Sequence, residues 1–172
     1  MIVIVAPGQG SQTPGFLEPW LDLEGAREQL GAISDAVGID LVAHGTTSDA
    51  DTIRDTKVAQ PLIVAAGLLT LSSLFADGRR EEVGGVAGHS VGEVTAAAAA
   101  GILSDTDAVA FVRERGRAMA DAAALEPTGM SAVLGGDEAA LLERLAELDL
   151  FPANFNGGGQ LVVAGALPAL AE

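Results

Sequence analysis

Apolar positions in this chain fall mostly into short unbroken runs between turn-forming glycines and prolines, and only some stretches have the spacing of an amphipathic helix. Ile2–Ala6 is wholly apolar and ends at Pro7-Gly8-Gln9-Gly10. Strands buried on both faces of a parallel sheet read this way, so such a strand is expected here. Polar, glycine-containing sequence follows, then a helix over about Leu23–Val37. The charged segment from Asp49 to Lys57 reads as a loop, with Pro61 placed as the first residue of a helix that runs through Leu74. A glycine-rich connection leads to a second short strand, Val83–Ala87. Gly88-His89-Ser90-Val91-Gly92 comes directly after it, then Glu93 and an alanine-rich helix to Ala100. A further helix is expected from about Asp105 to Ala124, with Ser104 as its N-cap.

After Pro127-Thr128-Gly129 the rhythm changes. Strand Met130–Leu134, helix Asp137–Leu148, strand Leu150–Phe155 and strand Gln160–Ala164 follow in quick succession. That order predicts a split βαββ unit, with a second helix expected to start where the chain reaches Glu172. The elements together predict an α/β fold: a main sheet over residues 1–127 and a smaller lobe over 128–172. No internal repeat interrupts the pattern.

Composition narrows the functions open to such a fold. The 172 residues are 49% hydrophobic and include no cysteine, which excludes disulfides, thiolate metal sites and a cysteine nucleophile. His44 and His89 are the only histidines, too few to suggest a metal site. Nine basic residues stand against 24 acidic ones, a formal charge of −15. Such a surface repels nucleic acid and anionic membranes, so neither is expected as a partner, and an anionic ligand would have to be met by a local cluster of arginine. Ile2–Val5 lacks a basic leader and stops at Pro7, unlike a signal peptide. The apolar stretch 61–76 contains Thr70, Ser72 and Ser73 and reads as a buried helix rather than a membrane span. A cytoplasmic protein is expected.

Candidate chemistry begins with Gly88-His89-Ser90-Val91-Gly92, a G-x-S-x-G between a buried strand and a helix. A sharp strand-to-helix turn needs small residues two before and two after a nucleophile, because the backbone there is crowded. It lifts the serine hydroxyl out of the sheet and sets it at a helix N-terminus. The N–H of Val91 then points to where an acyl oxyanion would form. The pattern also occurs in plain glycine-rich turns. A second oxyanion donor is expected from the loop after the first strand, through the N–H of Gln9. A dinucleotide loop there is disfavoured, since Thr13 replaces the last glycine of G-x-G-x-x-G and Pro14-Gly15 prevents a helix from opening.

Arg115 draws notice on a helical wheel, where Ala108, Phe111, Val112, Met119 and Ala122 surround it. A guanidinium on an apolar face needs a carboxylate or phosphate partner. That partner is either an internal acidic residue or the carboxylate of a substrate held by a two-pronged clamp. His89 adjoins Ser90, but neighbours on a tight turn point apart, so it is expected to brace the elbow rather than act as its base. His44 lies in a loop-like context. No convincing base for Ser90 is present.

Taken together these motifs resemble the malonyl-CoA:acyl carrier protein transacylase family. Pro7-Gly8-Gln9-Gly10-Ser11-Gln12 is similar to its amino-terminal signature, Gln60-Pro61 to its Q-P, and Gly88-His89-Ser90-Val91-Gly92-Glu93 to its G-H-S-x-G-E. Arg115 falls at the spacing of the family's carboxylate-binding arginine. Gly129-Met130, and Asn154-Phe155-Asn156 with Gln160, resemble its small-lobe motifs. The resemblance implies an α/β-hydrolase-like parallel-sheet core with an inserted ferredoxin-like small lobe, both incomplete in this chain.

It further implies a ping-pong transfer from malonyl-CoA to the phosphopantetheine thiol of acyl carrier protein through a Ser90 acyl-enzyme. Gln9 and Val91 would hold the oxyanion and Arg115 the free carboxylate; Gly88, His89 and Gly92 would support the elbow. No metal or bound cofactor is implied, malonyl-CoA being the substrate, in fatty acid or polyketide biosynthesis. Val91 at the variable position resembles malonyl-type enzymes, and the start at Met1 favours a standalone enzyme. The family's catalytic histidine lies in a later segment that nothing here matches, so activity of residues 1–172 alone is not expected. Competing readings are a serine hydrolase or esterase, the acyltransferase of a polyketide synthase or malonate decarboxylase, and a truncated non-catalytic fragment that binds CoA or carrier protein. Arg79 and Arg80 are candidate contributors to a carrier-protein surface.

Overall fold

The structure, a computed structural model, describes residues 1–76 and 78–172. It has an α/β architecture. In chain order come β1 (Ile2–Ala6), α1 (Ala26–Val37), α2 (Leu41–Thr46), α3 (Thr56–Phe75), β2 (Val83–Gly88), α4 (Gly92–Ala99) and α5 (Asp105–Ala123). β3 (Thr128–Leu134), α6 (Glu138–Glu147), β4 (Phe151–Gly157), β5 (Gln160–Ala166) and α7 (Leu167–Leu170) follow. The chain divides into two units, Met1–Ala120 and Asp121–Glu172, so the division falls in the last turn of α5, ahead of the boundary read from the sequence. The connection between α3 and β2 includes Asp77, which lies outside the described residues.

In the first unit β1 and β2 pair in parallel, with Val3 opposite Gly85 and Ala6 opposite Gly88. The core forms around α3, which is apolar on nearly every side, as a helix enclosed by others must be. Leu62, Val64 and Leu68 are at most 1% exposed, and α1, α2 and α4 pack around them. By length and composition alone α3 could cross a membrane; here it is the core helix. It starts at Thr56, earlier than expected, because the Asp55 side chain accepts from the Lys57 N–H at 2.8 Å and caps the first turn. Pro61 therefore lies inside the helix, not at its first position, and supplies a fully buried ring at the expense of one ladder donor.

Three other expectations need correction. β1 is not buried on both faces: Ile4 packs on the core and Ala6 is buried, but Val3 and Val5 are 54% and 71% exposed. The helices of this unit cover one face of the strand pair, and alternate side chains point to the other. The polar stretch after β1 also feeds the core, since Leu17 and Leu21, at a 3₁₀ turn over Glu18–Asp22, are buried. His44 sits in α2 rather than a loop, its Nδ1 3.0 Å from Ser48 Oγ.

The second unit is an antiparallel sheet in the order β3-β5-β4. Its faces are unequal. Leu161 and Val163 of β5 pack with Leu145 of α6 and with Leu150 into a small core, while Met130, Leu134 and Phe151 are exposed. Asp137 caps α6, accepting from the Ala140 N–H at 2.9 Å. α7 stands where the sequence led us to expect a second helix to begin.

Candidate active site

The turn from β2 into α4 is tightly constrained. Ser90 has φ 53°, a left-handed conformation that non-glycine residues seldom adopt. Gly88 and Gly92 flank it for lack of space. A Cβ on Gly88 would strike the Gly92 carbonyl, and one on Gly92 would strike the carbonyl oxygens of Ala6 and Pro7. The His89 N–H donates to Ala6 O at 3.1 Å, tying the turn to the end of β1, and His89 O accepts from Gly92 N at 2.9 Å. Glu93 N then bonds Ser90 O and Val94 N bonds Val91 O. The Val91 amide stands just ahead of this run, at the N-cap of α4.

The loop after β1 is packed against this elbow. A Cβ on Gly8 would come within 2.6 Å of His89 Nδ1, so the imidazole stands directly over Gly8. Side chains pin the loop: Ser11 Oγ donates to Gly8 O, Gln12 Oε1 accepts from Gly10 N, and Gln12 Nε2 donates to Ile53 O. Gln9 itself is anchored through Nε2, which lies 3.3 Å from both Arg54 O and Thr56 Oγ1. An apolar hollow of about 240 Å³ lies behind the loop, beside Val5, Pro7, Trp20 and Thr95. Its lining includes neither Ser90 nor Arg115.

Arg115 reaches the elbow from the middle of α5. Its Nη2 donates to Ser90 Oγ at 3.2 Å and its Nη1 to Gln60 Oε1 at 2.6 Å. Both acceptors are uncharged. The wheel misjudged its surroundings, since the buried stripe of α5 is Ala108, Val109, Val112 and Gly116. Phe111 and Met119 are 54% and 42% exposed, and Arg115 flanks the stripe, partly buried. Small residues let this helix pack by its narrow side, which a wheel of apolar letters does not register.

Where a cluster of arginines is expected, the guanidinium that meets Ser90 among the described residues is that of Arg115. Arg113 turns to Ala36 O and to Glu114, Arg80 donates to Ala99 O and stacks on the Phe75 ring, and Arg79 pairs with Glu82 at 3.5 Å. Gln60 belongs to the site but carried no assigned role in the sequence. Its signal there was the Gln60-Pro61 pair, similar to a family motif, at the start of a long apolar run. Among the described residues no three His, Asp or Glu side chains gather as a metal site.

Residues 3–172 match the family model described as an acyl transferase domain. The chain is 56% identical, over 99% of its length, to the malonyl CoA-acyl carrier protein transacylase of Mycobacterium tuberculosis, of which it covers 57%. It superposes on the crystal structure of MCAT from Mycobacterium tuberculosis with a TM-score of 0.95 and 55% identity, covering 99% of this chain and 57% of that one. A malonyl-transacylase solved in complex with its type II PKS acyl-carrier protein gives a TM-score of 0.89 at 29% identity, covering 98% of this chain and 56% of that one. The chain thus spans little more than half the length of these relatives.

Proposed function

The chain belongs to the acyl transferase domain family, and on that premise we propose that it carries the acyl-accepting part of a malonyl-CoA:acyl carrier protein transacylase. The observation that carries this reading is the 3.2 Å contact between Arg115 Nη2 and Ser90 Oγ. In a malonyl thioester the carboxylate carbon and the reacting carbonyl carbon are two bonds apart, about 2.5 Å. A cation that binds the first group must therefore stand beside the nucleophile that attacks the second. A neutral ester would make no use of it, which disfavours the serine hydrolase reading.

In this reaction Ser90 Oγ attacks the thioester carbonyl, and the amides of Val91 and Gln9 bind the oxyanion. The start of α4 at Gly92 favours the first of these. Anchoring of the Gln9 side chain at Arg54 and Thr56 supports the second, because it holds the residue while leaving its amide to turn to the elbow. Coenzyme A leaves as the thiol, and Ser90 keeps the malonyl group as an ester. The phosphopantetheine thiol of acyl carrier protein then takes it, releasing Ser90. A partner of this kind is supported by the related transacylase held with its carrier protein.

The Ser90 proton needs an acceptor. His44 is turned to Ser48 and the His89 ring stands over Gly8, so the proposal places the base outside residues 1–172. Gly88, His89 and Gly92 serve as the supports that keep Ser90 raised. No bound cofactor enters the scheme, and the protein would work in the cytoplasm, in fatty acid or polyketide synthesis. The finer fold is read as an α/β-hydrolase-like core with a ferredoxin-like lobe over 128–172. The parallel strand pair leading into the elbow supports the first part, and the β3-β5-β4 order under α6 supports the second.

Intact mass after exposure of the complete enzyme, base included, to malonyl-CoA and to acetyl-CoA tests the reading. A malonyl adduct should form and vanish in Ser90→Ala. In Arg115→Ala malonyl loading should fall at least tenfold or so, the loss of a charge-assisted bidentate contact, while acetyl loading is spared. Equal losses for the two thioesters would remove the carboxylate role from Arg115.

A further inference from the structure

We infer that Gln60 is a positioning residue that sets the preference of the site for thioesters of short dicarboxylic acids, by holding one end of Arg115 so that the other faces Ser90. The inference rests on the transacylase reading above. Gln60 is 1% exposed, and a buried amide needs both its ends satisfied. Its Oε1 accepts from Arg115 Nη1 at 2.6 Å, and its Nε2 lies 3.0 Å from Met119 Sδ. Only this orientation of the amide serves, because a guanidinium offers donors alone and a thioether only an acceptor.

Both partners of the amide sit on α5, one helical turn apart, so the glutamine reads the position of that helix as well as of the guanidinium. Gly116 lies between them. A Cβ there would meet Thr56 O at 3.3 Å and Gln60 Cβ at 3.7 Å, so glycine lets α5 lie close against the first turns of α3. Arginine has several rotatable bonds and loses rotamer freedom when fixed. A group that fixes it before substrate arrives lowers the cost of binding.

The neutrality of that group is the telling point. The chain has 24 acidic residues for nine basic ones, yet the short contact that holds Arg115 comes from an amide. A carboxylate at position 60 would hold the guanidinium equally well but would compete with the substrate for its charge. An amide orients the fork and leaves the charge for the incoming carboxylate.

Equilibrium titration of the full chain with malonyl-CoA and with acetyl-CoA tests this, in a Ser90→Ala background that keeps the thioesters intact. Gln60→Leu should weaken malonyl-CoA binding about tenfold and change acetyl-CoA binding by no more than about twofold, as expected for loss of a contact to a charged group. Gln60→Glu, nearly isosteric, should weaken malonyl-CoA at least as much, and it carries the test if the leucine variant fails to fold. With Arg115→Ala already present, Gln60→Leu should have no further effect on malonyl-CoA, since the two act as one unit. Equal weakening of both thioesters, or an effect that persists without Arg115, would reduce Gln60 to packing and overturn the inference. If Arg115→Ala alone leaves the malonyl preference unchanged, the parent reading fails too; if it abolishes the preference while Gln60→Leu and Gln60→Glu do not, only the role of Gln60 is lost.

Discussion

At Ser90 the backbone stores strain that the chemistry can use. An L-residue in the left-handed region is disfavoured by about 1–2 kcal/mol, whereas glycine is not. Glycine instead costs roughly 0.5–1 kcal/mol in unfolded-chain entropy. Ser90→Gly should therefore resist urea as well as or better than Ser90→Ala, by up to about 1 kcal/mol, although neither can form an acyl-enzyme. Urea unfolding of the two variants checks this, and a clearly more stable alanine variant would mean that φ 53° is not strained in the folded protein. Residue-level reading of the sequence went far here. The G-x-S-x-G pattern located the turn at Ser90, and wheel geometry singled out Arg115. Gln60 was visible only as part of a motif, because nothing local says that a glutamine on one helix will meet an arginine 55 residues later.

At the scale of elements, start and stop signals were legible wherever they are local. Ser104 Oγ accepts from the Asp107 N–H at 3.1 Å, the cap expected for α5. Ser104→Ala should cost about 1 kcal/mol in chemical denaturation, as loss of an N-cap usually does. No change in the midpoint would show that the first turn of α5 contributes nothing to stability. Pro61 misled for a local reason as well. Proline favours a first turn, but Asp55 offers a stronger start six residues earlier, and a helix begins at the earliest capped position that packing supports. Periodicity placed β1 correctly yet mistook its burial, since an unbroken apolar run says nothing of whether both faces are covered.

Across the whole molecule, the residues of this chain proposed to act on substrate, Gln9, Ser90, Val91 and Arg115, lie within Met1–Ala120. Asp121–Glu172 has a much smaller core, with four buried hydrophobics: Leu145, Leu150, Leu161 and Val163. A unit of this size buries too little to be strongly stable on its own account. Hydrogen exchange should therefore find amides of β3, β4 and β5 less protected than those in the middle of α3, around Leu62–Leu69. Equal protection would mean that the second unit opens only when the whole chain does.

The sequence by itself determined the kinds and order of elements, the elbow at Ser90 and the change of rhythm after Pro127, because turn chemistry, capping and periodicity act over a few residues. Tertiary structure alone decided which apolar residues are covered and which polar groups meet. Val3, Val5, Phe111 and Met119 are as apolar as their buried neighbours but have less packed against them. Arg115 resembles the other arginines in the sequence, yet the fold brings it to Ser90 and Gln60 by contacts that span 25 and 55 residues. Burial and partnership depend on what lies opposite a side chain, and only the folded chain specifies that.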